Sequence, residues 1–517
     1  MDKNNKELDN SLKLIVRTSF IVFIGIFLSK ILSYVYRIII ARYFGPEIYG
    51  IFSLALIILG WAIAFSSLGL TDGLVRFIPF YRGKKEFNKI RYLIKFVITL
   101  TLISSIICSF ILFILSDSIA LSIFKNSELT IFLKFFSILL PIAVISNVYL
   151  SVIRAFEKIS IYSFLVNILQ NIIKLTLLII LVIIGLKSNS IIFSYFLGVF
   201  IILILAYFIS RNKLPEIVGN IKVNNKEKAV LKKEVFSYSW PIMFSGIFIS
   251  LLYWIDSLVI GFYLGATSVG IYNAAIPIIA LFGFAQELFM QLMFPLINRE
   301  YSKKNFELIK EISKQVSKWI FILDLPLFII IFLFPGAIIN ILFGQDYLGA
   351  SNALRILSIG IFVSFLIPVL TNLMSMVGKS KILLINLIIA STINLILNIF
   401  LVQKFGIEGA AIATSIVSVI MFIMLFFETK YYVSIIPLRR KMLRILLVSI
   451  IPLIMVLLIK SSININMFSL IIIGAFYFLS YLALIFLTKC LDDNDIKIIL
   501  EIIKKTRFSS KIIPSKN

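Results

Sequence analysis

The chain contains no histidine, which excludes imidazole base catalysis, imidazole proton relays and histidine-ligated metal. It has two cysteines, Cys108 and Cys490, too few for a disulfide framework or a thiolate metal site. Charge is scarce, at 15% of residues against about 25% in soluble domains. Acidic residues are scarcer still, 25 against 50 Lys and Arg. Polar stretches are short as well: 211–236, 298–318 and the tail beyond Cys490 are the longest, so no soluble domain is expected. No cofactor or metal is expected either. What fills the chain is apolar: 60% of residues are hydrophobic, in runs of about 18 or more that recur from end to end. The alternating ten-residue segments of a membrane β-barrel are absent.

These runs describe an all-α polytopic membrane protein of about fourteen transmembrane helices. The first run carries Lys30 and is followed by no small-residue cleavage site, so it reads as a retained helix. Loops on one side of the membrane carry 39 of the 50 Lys and Arg, the opposite loops five, and the spans six. By the positive-inside rule both termini are expected in the cytoplasm, in a cell membrane. The net charge of +25 is then accounted for by topology and anionic lipid head groups, with no role for nucleic acid.

The two halves repeat. Residues 40–58, IARYFGPEIYGIFSLALII, align without a gap on 260–278, IGFYLGATSVGIYNAAIPI, sharing Tyr43/Tyr263, Gly45/Gly265 and Gly50/Gly270 at an offset of 220. At an offset of 221, Lys158 aligns with Lys379 and Gly185 with Gly406. Six spans per repeat, an even number, give both halves the same orientation, so their relating axis runs along the membrane normal. The expected organisation is a lobe over 1–210, a basic cytoplasmic linker over 211–236, a second lobe over 237–430, two added helices over 431–490 and an amphipathic cytoplasmic tail over 491–517.

Several stretches carry a family resemblance: ARYFGPEIYGIFSLA (41–55), SLGLTDGLVRF (67–77), SYSWPIMFSGIFISLLYWIDSLVIGFYLGATSVGIYNAA (237–275), LFGQDYLGASNALRIL (342–357) and KFGIEGAAIATS (404–415). With these the chain resembles the polysaccharide and oligosaccharide flippases of the multidrug/oligosaccharidyl-lipid/polysaccharide exporter superfamily. The resemblance implies transfer of a lipid-linked oligosaccharide from the cytoplasmic to the outer leaflet by alternating access between two lobes. Lipid II flippases and drug or cation antiporters are relatives within that superfamily.

Intramembrane charges mark the candidate site, because each costs about 2.5–3.5 kcal/mol on insertion scales. Lys30 and Arg37 stand seven residues apart on one helical face, about 10 Å along the axis, with Ser33 between them. In the fifth span Asn167, Gln170, Asn171 and Lys174 recur at helical spacing as a polar stripe. The second half supplies acids in its spans: Asp256, Glu287 (flanked by Gln286 and Gln291) and Asp324. Lys30, Arg37 and Lys174 suit a pyrophosphate, lysine as a point charge and arginine as a bidentate fork. Ser33, Asn167, Asn171 and Gln291 suit sugar hydroxyls. Asp256, Glu287 or Asp324 suits a coupling H⁺ or Na⁺, or balances the cations, with an Arg37–Asp256 pair as the structural alternative.

Other classes fit less well. A membrane glycan polymerase needs acidic or histidine residues on a sizeable outer loop, and the outer loops are short. The VGKS turn (377–380) has Leu373 where a phosphate-binding loop needs its first glycine. Cationic drugs favour acidic cavities, against Lys30 and Lys174.

Overall fold

The computed structural model describes residues 2–217, 219, 223–462 and 466–491, with side chains described from Gly25 onward except at a few positions. The tail expected to be amphipathic lies, beyond residue 491, outside the described residues. The described residues form sixteen α-helices and no strand. In the first half these are α1 (Asp2–Ser67), α2 (Leu70–Gly83), α3 (Phe87–Asp117), α4 (Ser127–Ala155), α5 (Ile159–Ser163), α6 (Gln170–Ile183) and α7 (Asn189–Lys213). The second half continues with α8 (Asn225–Ile279), α9 (Gly283–Ser302), α10 (Phe306–Leu333), α11 (Pro335–Leu342), α12 (Ala350–Val363), α13 (Ile367–Met376) and α14 (Ser380–Tyr432). Last come α15 (Arg440–Ser462) and α16 (Met467–Leu487). An all-helical solution is what lipid demands, since each helix satisfies its own backbone polar groups.

Among the described residues, eleven continuous segments are long and apolar enough to cross a membrane. Three of them, in α1, α8 and α14, contain a non-helical glycine: Gly45 (φ 81°), Gly265 (φ 82°) and Gly406 (φ 59°). At these glycines the chain doubles back. Asn273 donates to Ser257 Oγ at 3.0 Å, although sixteen helical residues span about 24 Å. Gly409 sits so close to Leu401 that an added Cβ would fall 2.0 Å from its carbonyl oxygen. Each of the three segments is therefore a pair of spans, which restores the fourteen expected from sequence. Gly45 and Gly265, with ψ of 177° and 176°, occupy a region open essentially to glycine alone.

The repeat is written in the backbone as well. Positive φ occurs at Gly45, Lys85, Lys125, Glu157 and Gly185, and again at Gly265, Lys304, Gly344, Gly378 and Gly406. These are the five loops of a six-helix lobe, met twice. The lobes meet across α1 and α8, where the contact is reciprocal. A Cβ on Gly50 would fall 1.8 Å from the Ala266 carbonyl oxygen, and one on Gly270 would fall 1.8 Å from that of Pro46. Exchange of equivalent partners is the mark of a two-fold contact. The added pair α15 and α16 packs on α10 at the flank of the second lobe.

The end of the molecule bearing Gly45 and Gly265, the hairpin end, is sealed. One apolar core there draws on both lobes, including Tyr36, Tyr49 and Phe52 from the first and Tyr272, Phe343 and Tyr347 from the second. Polar contacts close it further. Arg42 donates to the carbonyls of Asn340, Ile341 and Leu342 in the last turn of α11, and Tyr347 donates to the Ala41 carbonyl at 2.8 Å. Toward the opposite, terminal end the core divides. Leu74, Ile90, Val148 and the start of α8 form one cluster, and Met293, Phe321, Leu370 and Tyr477 form another. The seam between α1 and α9 runs between them.

Candidate functional site

Lys30 stands on that seam. Its ammonium lies 2.5 Å from Glu287 Oε2 on α9 and 4.8 Å from the Phe284 ring centroid, with Phe27 against Phe284 one turn away at 5.2 Å. The pair joins the two lobes. Its side chains are 25% and 44% exposed, so neither is locked away. Gln291, one turn beyond Glu287 on the same face, is half-buried and its side chain forms no hydrogen bond with a described residue, and the same holds for the Ser33 side chain beside Lys30.

Arg37 follows two turns on. It is half-buried, with Tyr34, Tyr36 and Tyr195 as its electrostatic neighbours. No described acid pairs with it. The alternative of an Arg37–Asp256 ion pair is corrected by the structure: Asp256 accepts instead from Tyr272 at 2.6 Å, Thr414 at 2.6 Å and Asn398 at 2.9 Å. Three donors satisfy the carboxylate within the second lobe, so it has no need of the arginine.

On the fifth span the stripe meets α1 through Asn171. Asn171 donates to Ser29 Oγ at 3.0 Å, and Asn167 donates to Ser163 Oγ at 3.0 Å. Between α5 and α6 the chain winds as a π-helix over Phe164–Leu169, and Asn167 lies within this local widening. Lys174 parts from the rest of the stripe. It is buried inside the first lobe, packed on Gly198, with its ammonium 3.8 Å from the Tyr195 ring centroid. Gly198 opens the space for the lysine stem, and the ring face supplies its cation–π partner.

The three acids do not form one cluster. Glu287 faces Lys30. Asp324 is fully buried on α10, approached by Gln286 at 3.4 Å, and its Oδ1 has no partner. Asp256 sits nearer the hairpin end in a polar pocket of α8 and α14 with Tyr272, Asn394, Asn398 and Thr414. There Asn394 Oδ1 accepts from Asn398 at 2.6 Å, while Asn398 Oδ1 is buried without a partner. A buried carboxylate held by hydroxyl and amide donors, with no described cation beside it, can take up a proton, and with the oxygens of those same side chains turned toward it can ligate a hard monovalent ion. Tyr272 and Thr414 were invisible to sequence reasoning. Asn394 and Asn398, an i, i+4 pair inside an apolar span, were a signal that could have been read. Two further cations, on α4 and α12, find local partners: Lys134 pairs with Asp117 at 2.9 Å, and Arg355 donates to the Phe332 carbonyl at 3.1 Å.

Comparison with known proteins places this geometry. The chain is 28% identical over 499 residues to an uncharacterized membrane protein of Methanocaldococcus jannaschii, covering 93% of this chain and 96% of that one. It is 26% identical to a putative O-antigen transporter of Shigella flexneri, covering 73% and 88%, and 26% identical to a probable low-salt glycan biosynthesis flippase of Haloferax volcanii, covering 45% and 47%. The fold matches that of a lipid II flippase, MurJ, in an inward closed conformation, with TM-score 0.71 and 19% identity over 90% of this chain and 98% of the other. It also matches an inward-facing multidrug resistance MATE transporter, with TM-score 0.69 and 16% identity over 78% and 94%. A MatE family model matches residues 241–400. The family model for polysaccharide biosynthesis proteins matches residues 15–299, more than half of the chain, and the protein belongs to that family, a multi-pass membrane flippase of the multidrug/oligosaccharidyl-lipid/polysaccharide exporter superfamily.

Proposed function

We propose that this flippase carries a lipid-linked oligosaccharide, joined to an isoprenoid through pyrophosphate, from the cytoplasmic to the outer leaflet by alternating access. The observation that carries the reading is the placement of Lys30. A cation deep in a membrane helix stands on the seam between two lobes, a quarter of its side chain exposed (25%) and within reach of whatever enters there. A lipid pyrophosphate crossing a bilayer needs its charge neutralised in a low dielectric. Lys30 and Arg37 supply two positive charges on one face. Ser33, Asn167, Asn171 and Gln291 offer hydrogen-bonding groups for sugar hydroxyls. Lys174 adds positive potential from inside the first lobe. The lipid tail remains in the bilayer through the gap between lobes, and surrounding membrane lipid seals the rest.

In this reading the terminal end faces the cytoplasm, as its excess of Lys and Arg favours. The lobes 1–210 and 237–430 move as units about the linker 211–236, with 431–490 riding on the second lobe. Asp256, with Asn394, Asn398 and Thr414, binds the coupling Na⁺ or H⁺; Asp324 is the second acid available for a proton; Glu287 is counter-charge to Lys30. Positioning and charge neutralisation are all the process requires, so no covalent step is assigned. The test is chemical: deplete the protein and isolate the lipid-linked oligosaccharide that accumulates. Accumulation of an isoprenoid pyrophosphate sugar on the cytoplasmic leaflet supports the reading. Accumulation of lipid II alone identifies the protein as a lipid II flippase, and no accumulation overturns both.

A further inference from the structure

Glu287 is the one described acid that reaches Lys30. Asp256 is held by three donors within the second lobe, and Asp324 is fully buried on α10 beside Gln286. Glu287 itself is 44% exposed, has no second partner among the described residues, and contacts Lys30 across the seam between lobes rather than within a lobe. Resting on the reading of Lys30 as a phosphate-binding cation, we propose that Glu287 is a tethered counter-anion for the empty carrier. It occupies Lys30 when no substrate is bound, yields it to the lipid pyrophosphate, and takes it back for the return of the empty lobes.

The need follows from charge alone. Substrate neutralises Lys30 on the outward journey and then leaves. The lobes must pass back through a closed state, where an unpaired ammonium in a low dielectric is strongly disfavoured. A carboxylate carried on the opposing lobe restores neutrality without a counter-substrate. Tethering gives it a high effective concentration at Lys30. That same tether makes it a competitor of substrate, so one residue lowers affinity and sustains turnover.

These opposed effects set the test. Purified full-length protein is assayed for binding of farnesyl pyrophosphate, and in proteoliposomes for multiple-turnover transfer of a fluorescent short-chain isoprenoid pyrophosphate sugar. Glu287→Gln should bind farnesyl pyrophosphate about three- to tenfold more tightly, because the tethered competitor is gone. Its turnover should fall about tenfold or more, and added acetate should restore part of it. Glu287→Asp keeps the charge and should retain most turnover, and it decides the matter by the same two readouts if Glu287→Gln is not recovered in the membrane. Unchanged or weaker binding with normal turnover in Glu287→Gln would overturn the proposal. Lys30→Gln that binds farnesyl pyrophosphate as wild type does would instead remove the phosphate reading of Lys30, a separate failure.

Discussion

Gly50 and Gly270 face each other across the two lobes so closely that a methyl group on either would fall 1.8 Å from a backbone oxygen of the opposing helix. Backbone cannot yield as a side chain does, so the lobes themselves must part. Gly50→Ala and Gly270→Ala should each disfavour the sealed hairpin end by about 1–3 kcal/mol, the usual cost of overpacking. The two should act alike because the contact is reciprocal. Spin labels at the exposed Glu47 and Thr267 report it: both variants should lengthen and broaden the inter-label distance distribution. An unchanged distribution in both would show that the seal does not depend on this approach.

The pocket around Asp256 makes a second prediction. If it holds Na⁺, sodium chloride should raise the thermal stability of the wild type relative to choline chloride. The gain is about 2.7 kcal/mol when sodium stands a hundredfold above its dissociation constant. Asp256→Asn should abolish the response, and Asn398→Ala should weaken it. A wild-type protein indifferent to sodium, whose stability instead changes with pH only when Asp256 is present, identifies the proton. Indifference to both removes the pocket from coupling.

How far the fold could be read in advance depended on how strongly lipid constrains each feature. Spans were legible because a helix facing hydrocarbon has no alternative to a long apolar run. The repeat was legible because Gly45 and Gly265 adopt a backbone conformation essentially closed to other residues, so the same residue recurs at the same place. Lys30 stood out as an expensive cation, but its partner did not: Glu287 lies 257 residues away, and only the docking of two lobes brings it near. Periodicity placed Lys174 on the polar stripe without showing that Gly198 leaves room to bury it beneath Tyr195. The π-helix over Phe164–Leu169 has no compositional signature. Alignment leaves an Arg37–Asp256 pair open as an alternative because side-chain direction, which decides it, is not written there; the hydroxyl and amide donors to Asp256 come from α8 and α14.

Topology is open to direct measurement. In a background with Cys108 and Cys490 replaced by serine, cysteines introduced at Thr267 and Gln345 should react with an impermeant reagent added to intact cells. Those at Lys226 and Lys303 should react only after the membrane is opened. All four positions are exposed, so access depends on sidedness. Labelling at Lys226 in intact cells would reverse the assigned orientation.

The most direct test of the mechanism is the activity of Lys30 variants set beside their membrane protein levels. If Lys30 neutralises the substrate phosphate, Lys30→Ala and Lys30→Gln should both stop translocation, seen as lipid-linked sugar accumulating on the inner leaflet, while the protein still inserts. Lys30→Arg should keep part of the activity, because charge is retained and geometry altered. A purely structural pair predicts otherwise: lost protein, recovered when Glu287 is neutralised too, since what destabilises is the carboxylate left unpaired. Normal translocation by a well-expressed Lys30→Ala protein would contradict the account outright.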